Sequence, residues 1–361
     1  GLVREIEYRS DAQSVYEGAA ESAVQCGIGH FRIRADYCDA ETFDQHILIE
    51  RIFNPFAVFY DPKARKPDRS DAEFAFIAEE MRQEEFEKQY PKASVEGFKD
   101  AKAPLWWQDW RGGETITVAE YYWREYDEVT LYRLQDGTVF EGDLPEGVYY
   151  TAKRKAKRPV IKWAKLSGQD VLEGPQVVAG EYIPVVAVVG EELHIGEEVY
   201  RSGAIRHAKD AQVTYNVMRT ASVETTLLQP RAPYLVTPKQ VAGFETFWNE
   251  AHKSNRPYLP YTPDDKAGPP TRVPPPVASQ ALTAEAQIAA EDMKRTIGIY
   301  DASLGARSNE TSGVAIAQRQ REGDMATSIY SDNMAKAVAH AGRIVVGMIP
   351  EIYDAQRVLR I

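Results

Sequence analysis

Apolar residues recur at two different intervals along this chain, and the changes of interval divide it. Near the start, Ile6, Val15, Ala19, Ala20 and Val24 fall among Glu, Asp, Arg and Gln at loose helical spacing. That spacing predicts one helix over residues 3–25, stopped by Gly27 and Gly29. Phe31, Ile33, Ala35 and Tyr37 then alternate with Arg32, Arg34 and Asp36, the period of a half-buried strand. A second β-rich run over residues 45–53 ends in turns at Asn54-Pro55 and Asp61-Pro62. Residues 70–90 are expected to be helical. Ser70 and Glu73 have the spacing of a capping box, Phe74, Ile77, Ala78 and Met81 make an apolar face, and Glu79, Glu80, Glu84, Glu85 and Glu87 make a wet one. From 114 to 166 the pattern is strands and turns. Residues 129–134 and 138–140 flank Asp136-Gly137, where glycine tolerates the positive φ of a tight hairpin. Residues 1–204 are therefore expected to form an α+β lobe.

The second half has a different texture. Residues 205–228 contain neither Pro nor Gly, and Ile205, Ala208, Ala211, Tyr215, Met218 and Ala221 lie on one stripe. A helix of that length spans roughly 36 Å. Residues 229–280 then hold 11 of the chain's 21 prolines, which predicts a small module with extended arms. Only residues 238–253 look regular there, with Val241, Phe244, Phe247 and Trp248 at helical spacing. Over residues 282–304 the three-four rhythm returns in Leu282, Ala286, Ala289, Met293, Ile297, Tyr300 and Leu304. A short polar loop, 305–313, leads to a third helical stretch over 314–353, which Gly323, Gly342 and Gly347 could bend. The order is long helix, proline-rich module, long helix, loop, long helix. No repeat of fixed period is present.

Composition narrows what this can be. With 361 residues, 43% hydrophobic and 27% charged, the chain is an ordinary folded protein of two or three lobes. Its first and last residues look like cut points in a longer chain, and no apolar run is long enough for a bilayer span. Cys26 and Cys38 are too few for a disulfide framework, so a reducing cytoplasm is the simple reading. A formal net charge of −11 argues against tight nucleic-acid binding, though not against a surface past which DNA slides.

The search for chemistry finds no phosphate-binding glycine loop, no helical histidine pair and no nucleophile elbow, so neither a catalytic residue, a metal nor a cofactor is expected. Three segments remain. Leu105-Trp106-Trp107-Gln108-Asp109-Trp110, with Tyr121, Tyr122, Trp123 and Tyr126, could stack on sugars or bases, or could simply fill a core or an interface. Lys153-Arg154-Lys155-Ala156-Lys157-Arg158 could contact phosphates or form a solvated turn. The loop at 305–313 suits a mobile connector.

Four stretches together resemble the portal, or head-to-tail connector, proteins of short-tailed double-stranded DNA phages. They are Asn54-Pro55-Phe56-Ala57-Val58-Phe59-Tyr60-Asp61-Pro62; Tyr182-Ile183-Pro184-Val185-Val186 with Gly190 and Arg201-Ser202-Gly203-Ala204-Ile205-Arg206-His207-Ala208-Lys209-Asp210-Ala211-Gln212; Tyr215-Asn216 with Arg219; and Ser312-Gly313-Val314-Ala315-Ile316-Ala317-Gln318-Arg319-Gln320 with Gly323-Asp324 and Asp332-Asn333. The resemblance implies an α+β portal fold. It has an α+β wing at 1–204, antiparallel stem helices at 205–228 and 281–304, and a small α/β clip at 229–280. A tunnel-loop region at 305–313 and a long wing helix at 314–361 complete it. The family's C-terminal crown and barrel have no counterpart in these 361 residues.

The resemblance further implies a ring, usually of twelve subunits, at a capsid vertex, with assembly in the host cytoplasm. Double-stranded DNA would pass through it weakly bound. The terminase large subunit, capsid and scaffolding proteins and tail adaptors would dock on it, and no membrane is involved. By that analogy Lys209, Arg219, Lys294, Arg307, Ser308 and Asn309 belong to the channel and tunnel loop. Arg231, Lys239, Trp248, Lys253 and Arg256 belong to the docking face of the clip, and the Tyr215–Met218 stripe faces neighbouring protein. The alternatives are a carbohydrate-acting hydrolase built on the Trp-rich segment and a carboxylate pair, or another phage ring adaptor.

Overall fold

A computed structural model describes residues 1–94, 115–142, 148–196, 198–228, 232–253, 256–274, 280–298 and 313–353, with 313–327 given by their helical backbone. The fold mixes helices and antiparallel strands, as the α+β expectation requires. Two compact units divide it: Gly1–Arg206 with Thr327–Ile361, and His207–Ala326.

The first unit opens with α1 (Leu2–Arg9) and α2 (Ala12–Cys26), where one helix over 3–25 was expected. The helix breaks at Ser10 and Asp11. Asp11 takes a left-handed φ of 47°, and the Ser10 hydroxyl accepts the Ile49 N–H at 3.0 Å. That long-range bond uses a residue type that already prefers caps to helix interiors. Strands β1 (Ile28–Tyr37) and β2 (Gln45–Ile52) follow as the alternation predicts, paired antiparallel with Ile33 opposite Ile49. Gly27 ends α2 at φ 90°, but Gly29 serves a different purpose. A Cβ there would stand 1.9 Å from the Ala19 carbonyl, so glycine lets β1 press on α2.

Next come β3 (Val58–Tyr60), β4 (Phe74–Arg82) and α3 (Gln83–Gln89). The helix expected over residues 70–90 is thus mostly strand. Phe74 pairs with Trp123 and Ile77 with Glu120 of β5 (Thr115–Leu134), while Val58–Tyr60 closes the other edge. Ala75 and Ile77 are buried, whereas Phe76 stacks on Phe59 on the opposite face at 4.8 Å. Pairing on both edges overrides the helical spacing. Ser70 caps nothing and is buried in the preceding loop.

After β5, the Asp136-Gly137 turn leads into β6 (Val139–Glu141), as expected, with Gly137 at φ 87°. The basic run 153–158 is not a turn. It lies inside β7 (Tyr150–Leu166), which pairs with β5 along nearly its whole length. Strand β8 (Val171–Val178) completes the sheet β3-β4-β5-β7-β8, with β6 on β5. Strand β9 (Val185–Val189) joins the other sheet in the order β2-β1-β9, and the hairpin β10 (Glu191–Ile195)–β11 (Glu198–Ser202) leads out of the unit.

The second unit holds the predicted paired helices and the proline-rich module. Helix α4 (Ala204–His207) and α5 (Lys209–Leu228) divide the predicted first long helix at Ala208. A small tip holds β12 (Tyr234–Leu235), α6 (Pro238–Val241), α7 (Glu245–Asn249) and β13 (Thr271–Arg272), with β12 and β13 paired. Gly243, at φ 86°, separates the two short helices where one regular segment was expected. Helix α8 (Gln280–Ile297) is followed by Gly298 at φ 75°, and the rest of the expected helix, 299–304, lies outside the described residues. Helix α9 (Gly313–Ile352) is a single 40-residue helix.

The main core lies in the first unit. Phe31, Ile33, Ile47, Ile49, Val186 and Val188 of the sheet pack with Ile6, Val15, Ala19 and Ala23 of the N-terminal helices and with Ala337, Ala341, Ile344, Val345 and Met348 of α9. Each fully buried large apolar side chain contributes about 1.5–3 kcal/mol by leaving water.

Candidate functional site

Helices α5 and α8 pack against one another. Ala211, Tyr215, Met218, Ala221, Ser222 and Thr225 are the half-buried positions of α5, at the spacing its sequence predicts, while Ile205 is 56% exposed. On α8 the inner stripe is Leu282, Ala286, Ala289, Met293 and Ile297, as expected. The Tyr215–Met218 stripe is half-buried on a helix that packs against α8. Small residues at the seam let the two backbones approach.

Apolar surface stays open on the opposite face of α5, besides Leu228 at its end and Ile288 on α8. Val213, Val217 and Leu227 are 52–64% exposed, with Val223 beside them at 50%. Val213, Val217, Thr220, Glu224 and Leu227 follow in steps of four, three, four and three, the spacing that packs one helix along another. The signal was present in the sequence, masked by the more prominent Tyr215–Met218 stripe.

Charges on the helix pair are sparse and of both signs. Lys209 opens α5 beside Asp210, and Arg219 lies about 15 Å further along the axis at 1.5 Å per residue. Both are exposed and make no ion pair among the described residues, and at that distance they do not form one cluster. Lys294 sits with Arg295 in the last turn of α8, where cations favour the negative end of the helix dipole. Arg307, Ser308 and Asn309 lie outside the described residues, as do Arg231 and the Trp-rich segment at 105–110.

In the tip, Trp248 is a packing anchor. Its Nε1 donates to the Pro260 carbonyl at 2.9 Å, and its ring meets Tyr234 edge-on at 5.5 Å. Buried Gln240 ties three segments together. Its Oε1 accepts the Thr237 N–H at 3.0 Å, its Nε2 donates to the Gly268 carbonyl, and its own carbonyl accepts the Thr262 N–H. Arg256 stacks 4.6 Å from the Phe247 ring centre and pairs with Glu250 at 3.1 Å. Lys239 and Lys253 project into solvent.

A polar hub that sequence reasoning missed secures the hairpin preceding α4. Arg69, at φ 53° and 4% exposed, reaches Glu192 of β10, donates to the Ala64 and Lys66 carbonyls, and shares Glu192 with Arg201 of β11 at 3.0 Å. Burial would raise the Glu192 pKa, but Arg69 and Arg201 outweigh it and hold the carboxyl below its ordinary range. Beside it, burial lowers the His30 pKa to about 3, with Arg201 and Arg69 adding to the effect, and His30 stacks on Tyr60 at 5.7 Å. On α9, burial lowers the His340 pKa to about 4. Asp68 opposes that shift, while Arg343, Lys66 and Arg124 reinforce it. Arg69 and Glu192 are separated by 123 residues, so no local pattern could have paired them.

Among the described residues no three His, Cys, Asp or Glu side chains gather as a metal site. No helix among them is long and apolar enough to cross a membrane. The described residues present helix faces, a compact tip and a buried polar hub.

Comparison with known proteins identifies the kind. The family profile of Phage P22-like portal proteins matches residues 1–361, and the chain belongs to that family. It is also 27% identical, over 390 aligned positions, to the "Portal protein" of Acyrthosiphon pisum secondary endosymbiont phage 1, covering 100% of this chain and 54% of that protein. The chain therefore spans about half the length of the curated relative it matches. Neither comparison supports the carbohydrate-acting alternative.

Proposed function

We propose that this chain supplies the wing, stem and clip of a portal subunit. On this reading it is one of a ring of copies, expected to be twelve, through which double-stranded DNA enters and leaves a capsid. The stem is α5 with α8, the clip is the proline-rich tip, and the wing is the first unit with α9. The observation that carries the proposal, beyond family membership, is the open stripe Val213, Val217, Leu227 on α5. The helix pair has consumed its inner face, and this second face has the spacing to pack on a neighbouring stem. Repeated head to tail, such a contact closes a ring when its rotation divides a full turn.

The sparse cations suit a channel that must not trap its cargo. Lys209, Arg219 and Lys294 give each subunit few phosphate contacts, and tight contacts would slow translocation and make it strongly salt-dependent. Arg307, Ser308 and Asn309 would line the tunnel loop. The tip would dock the terminase large subunit and later tail adaptors, with Lys239 and Lys253 as its accessible cations and Arg231 as a further contact outside the described residues. Trp248 and Arg256 would shape that face from within. Capsid and scaffolding proteins would contact the wing.

Mass in solution and negative-stain images of the purified chain test this. Closed rings with a central hole are the expected result, and a particle that is monomeric at every concentration would overturn it. The Val217→Asp, Leu227→Asp double variant should remain folded by circular dichroism and lose the rings. Rings that survive both substitutions would remove α5 as the seam. Duplex DNA should bind the ring weakly, and nanomolar binding that persists in high salt would contradict the sliding channel.

A further inference from the structure

The basic run at 153–158 has no part in the stem or the tip, and its setting is unusual. Strand β4 pairs with β5 only up to Trp123, and β8 pairs with β7 only from Ile161 onward. Beyond those points β5 and β7 continue as a ribbon over residues 124–134 and 150–160, joined by β6 at Leu131–Arg133 alone. No residue of either ribbon segment is buried.

Directly paired residues project to the same face. Lys153 opposite Tyr132, Lys155 opposite Thr130 and Lys157 opposite Glu128 therefore form one row, with lysines about 7 Å apart at two strand steps. Lys153 lies 5.0 Å from the Tyr132 ring centre, and Lys155 reaches Glu128 at 3.5 Å. Lys157 makes no ion pair among the described residues. Arg154 and Arg158 occupy the other face, with Arg158 paired to Glu141 at 3.2 Å. On the face that carries this row, Arg124, Lys153, Lys155 and Lys157 outnumber Glu128, on a chain whose net charge is −11, while the other face balances Arg133, Arg154 and Arg158 against Glu125, Asp127 and Glu141. The ribbon thus carries one cationic face on an acidic protein.

We infer that this ribbon docks on a second copy of the chain, at the β4–α3 end of the same sheet. There Glu79, Glu80, Glu84, Glu85 and Glu87 are all exposed. Glu80 pairs with Thr117 and Lys155 with Thr130, so the two patches are separated by 13 residues of β5, about 43 Å of strand. They cannot meet within one molecule. Opposite charges at opposite ends of one rigid strand are what a head-to-tail contact uses, and they set register and partner choice more than affinity. The overall acidity also makes a second copy a better match than a nucleic acid, which the rest of the chain repels. The inference rests on the ring reading and adds to it a wing contact distinct from the α5 seam.

Charge reversal in the whole chain tests it. Lys155→Glu with Lys157→Glu, or Glu84→Lys with Glu85→Lys, should each raise the concentration for half-assembly at least tenfold at low salt. The chain carrying all four changes should recover most of that loss. Raising salt to about 0.5 M should shrink the differences, because exposed charges are then screened. Milder variants, Lys155→Gln with Lys157→Gln, should give a smaller shift in the same direction and serve if a reversal disturbs folding. Rings that assemble equally in both reversals overturn this contact alone and leave the ribbon as a solvated edge. Two losses that are not rescued in the fourfold variant also overturn it. Intact assembly with lost retention of duplex DNA by Lys155→Glu, Lys157→Glu would make nucleic acid the occupant. A wild-type chain that never assembles overturns the ring reading and this contact together.

Discussion

Phe31, Ile33, Ile47 and Ile344 are at most 1% exposed in the first unit, where a sheet, two N-terminal helices and the end of α9 enclose them. In the second unit the buried side chains among the described residues are Ala208, Ala232, Ala286, Ala289 and Gln240. Alanine removes little area from water, so the helix pair gains a fraction of what the sheet core gains. The first unit therefore has a core of its own. The second has well-formed helices, and on α5 Tyr215 and Met218 are only half-buried while Val213, Val217 and Leu227 remain wet. On the ring proposal, such a helix pair would complete its core against neighbouring copies.

The largest test of that contrast is Phe31→Ala. Removing this ring from a fully enclosed site should cost about 3–5 kcal/mol of unfolding free energy, followed by urea denaturation of the first unit. Val217→Ala, on an exposed face, should change the stability of the unassembled chain by less than about 0.5 kcal/mol while weakening assembly. Equal destabilisation by the two substitutions would break the distinction.

Acid should separate the units next. His30 and His340, the buried histidines, both belong to the first unit, with pKa values lowered to about 3 and about 4. Unfolded, each takes up a proton near pH 6.5; folded, neither does until the pH is much lower. The unfolded state thus binds more protons between pH 6.5 and 4, and stability falls as pH falls through that window. The slope approaches about 1.4 kcal/mol per pH unit for each histidine. His340→Gln should remove about one proton from it, read from urea midpoints at about pH 7, 6 and 5. Below about pH 4.5, protonation of Glu192 should remove the further stability its lowered pKa represents. An unchanged slope in His340→Gln would mean that Asp68 and its neighbours accommodate the imidazolium.

Much of this was legible in local sequence. The alternation at residues 31–37 became β1, the Asp136-Gly137 turn became a hairpin, and Leu282, Ala286, Ala289, Met293 and Ile297 became the inner stripe of α8. What failed was decided at long range. Residues 74–82 have helical spacing and acidic composition, yet pairing with β3 and β5 makes them a strand. Ser10 breaks the first helix for a bond to Ile49, and the run at 153–158 looked like a turn because its partner strand ends near residue 134. The places of Lys209, Arg219 and Lys294 on α5 and α8 could be named from the predicted helices. The Arg69–Glu192 hub could not, because nothing near either residue announces the other.

The smallest expected effect concerns the tip, where charge and aromatic packing coincide. Arg256 lies over Phe247 and pairs with Glu250, and both charged side chains are well exposed, at 35% and 50%. Exposed ion pairs contribute little, and a cation over a solvated ring adds about 0.5–1 kcal/mol. Arg256→Ala should therefore cost the tip less than about 1 kcal/mol, measured by hydrogen exchange at the backbone amides of α7. Trp248→Ala, which removes the Pro260 bond and the Tyr234 contact together, should expose those amides far more. If Arg256→Ala opened them equally, the tip would be held by surface charge rather than by its tryptophan. Lys239 and Lys253 would then count as structural residues before any role in docking.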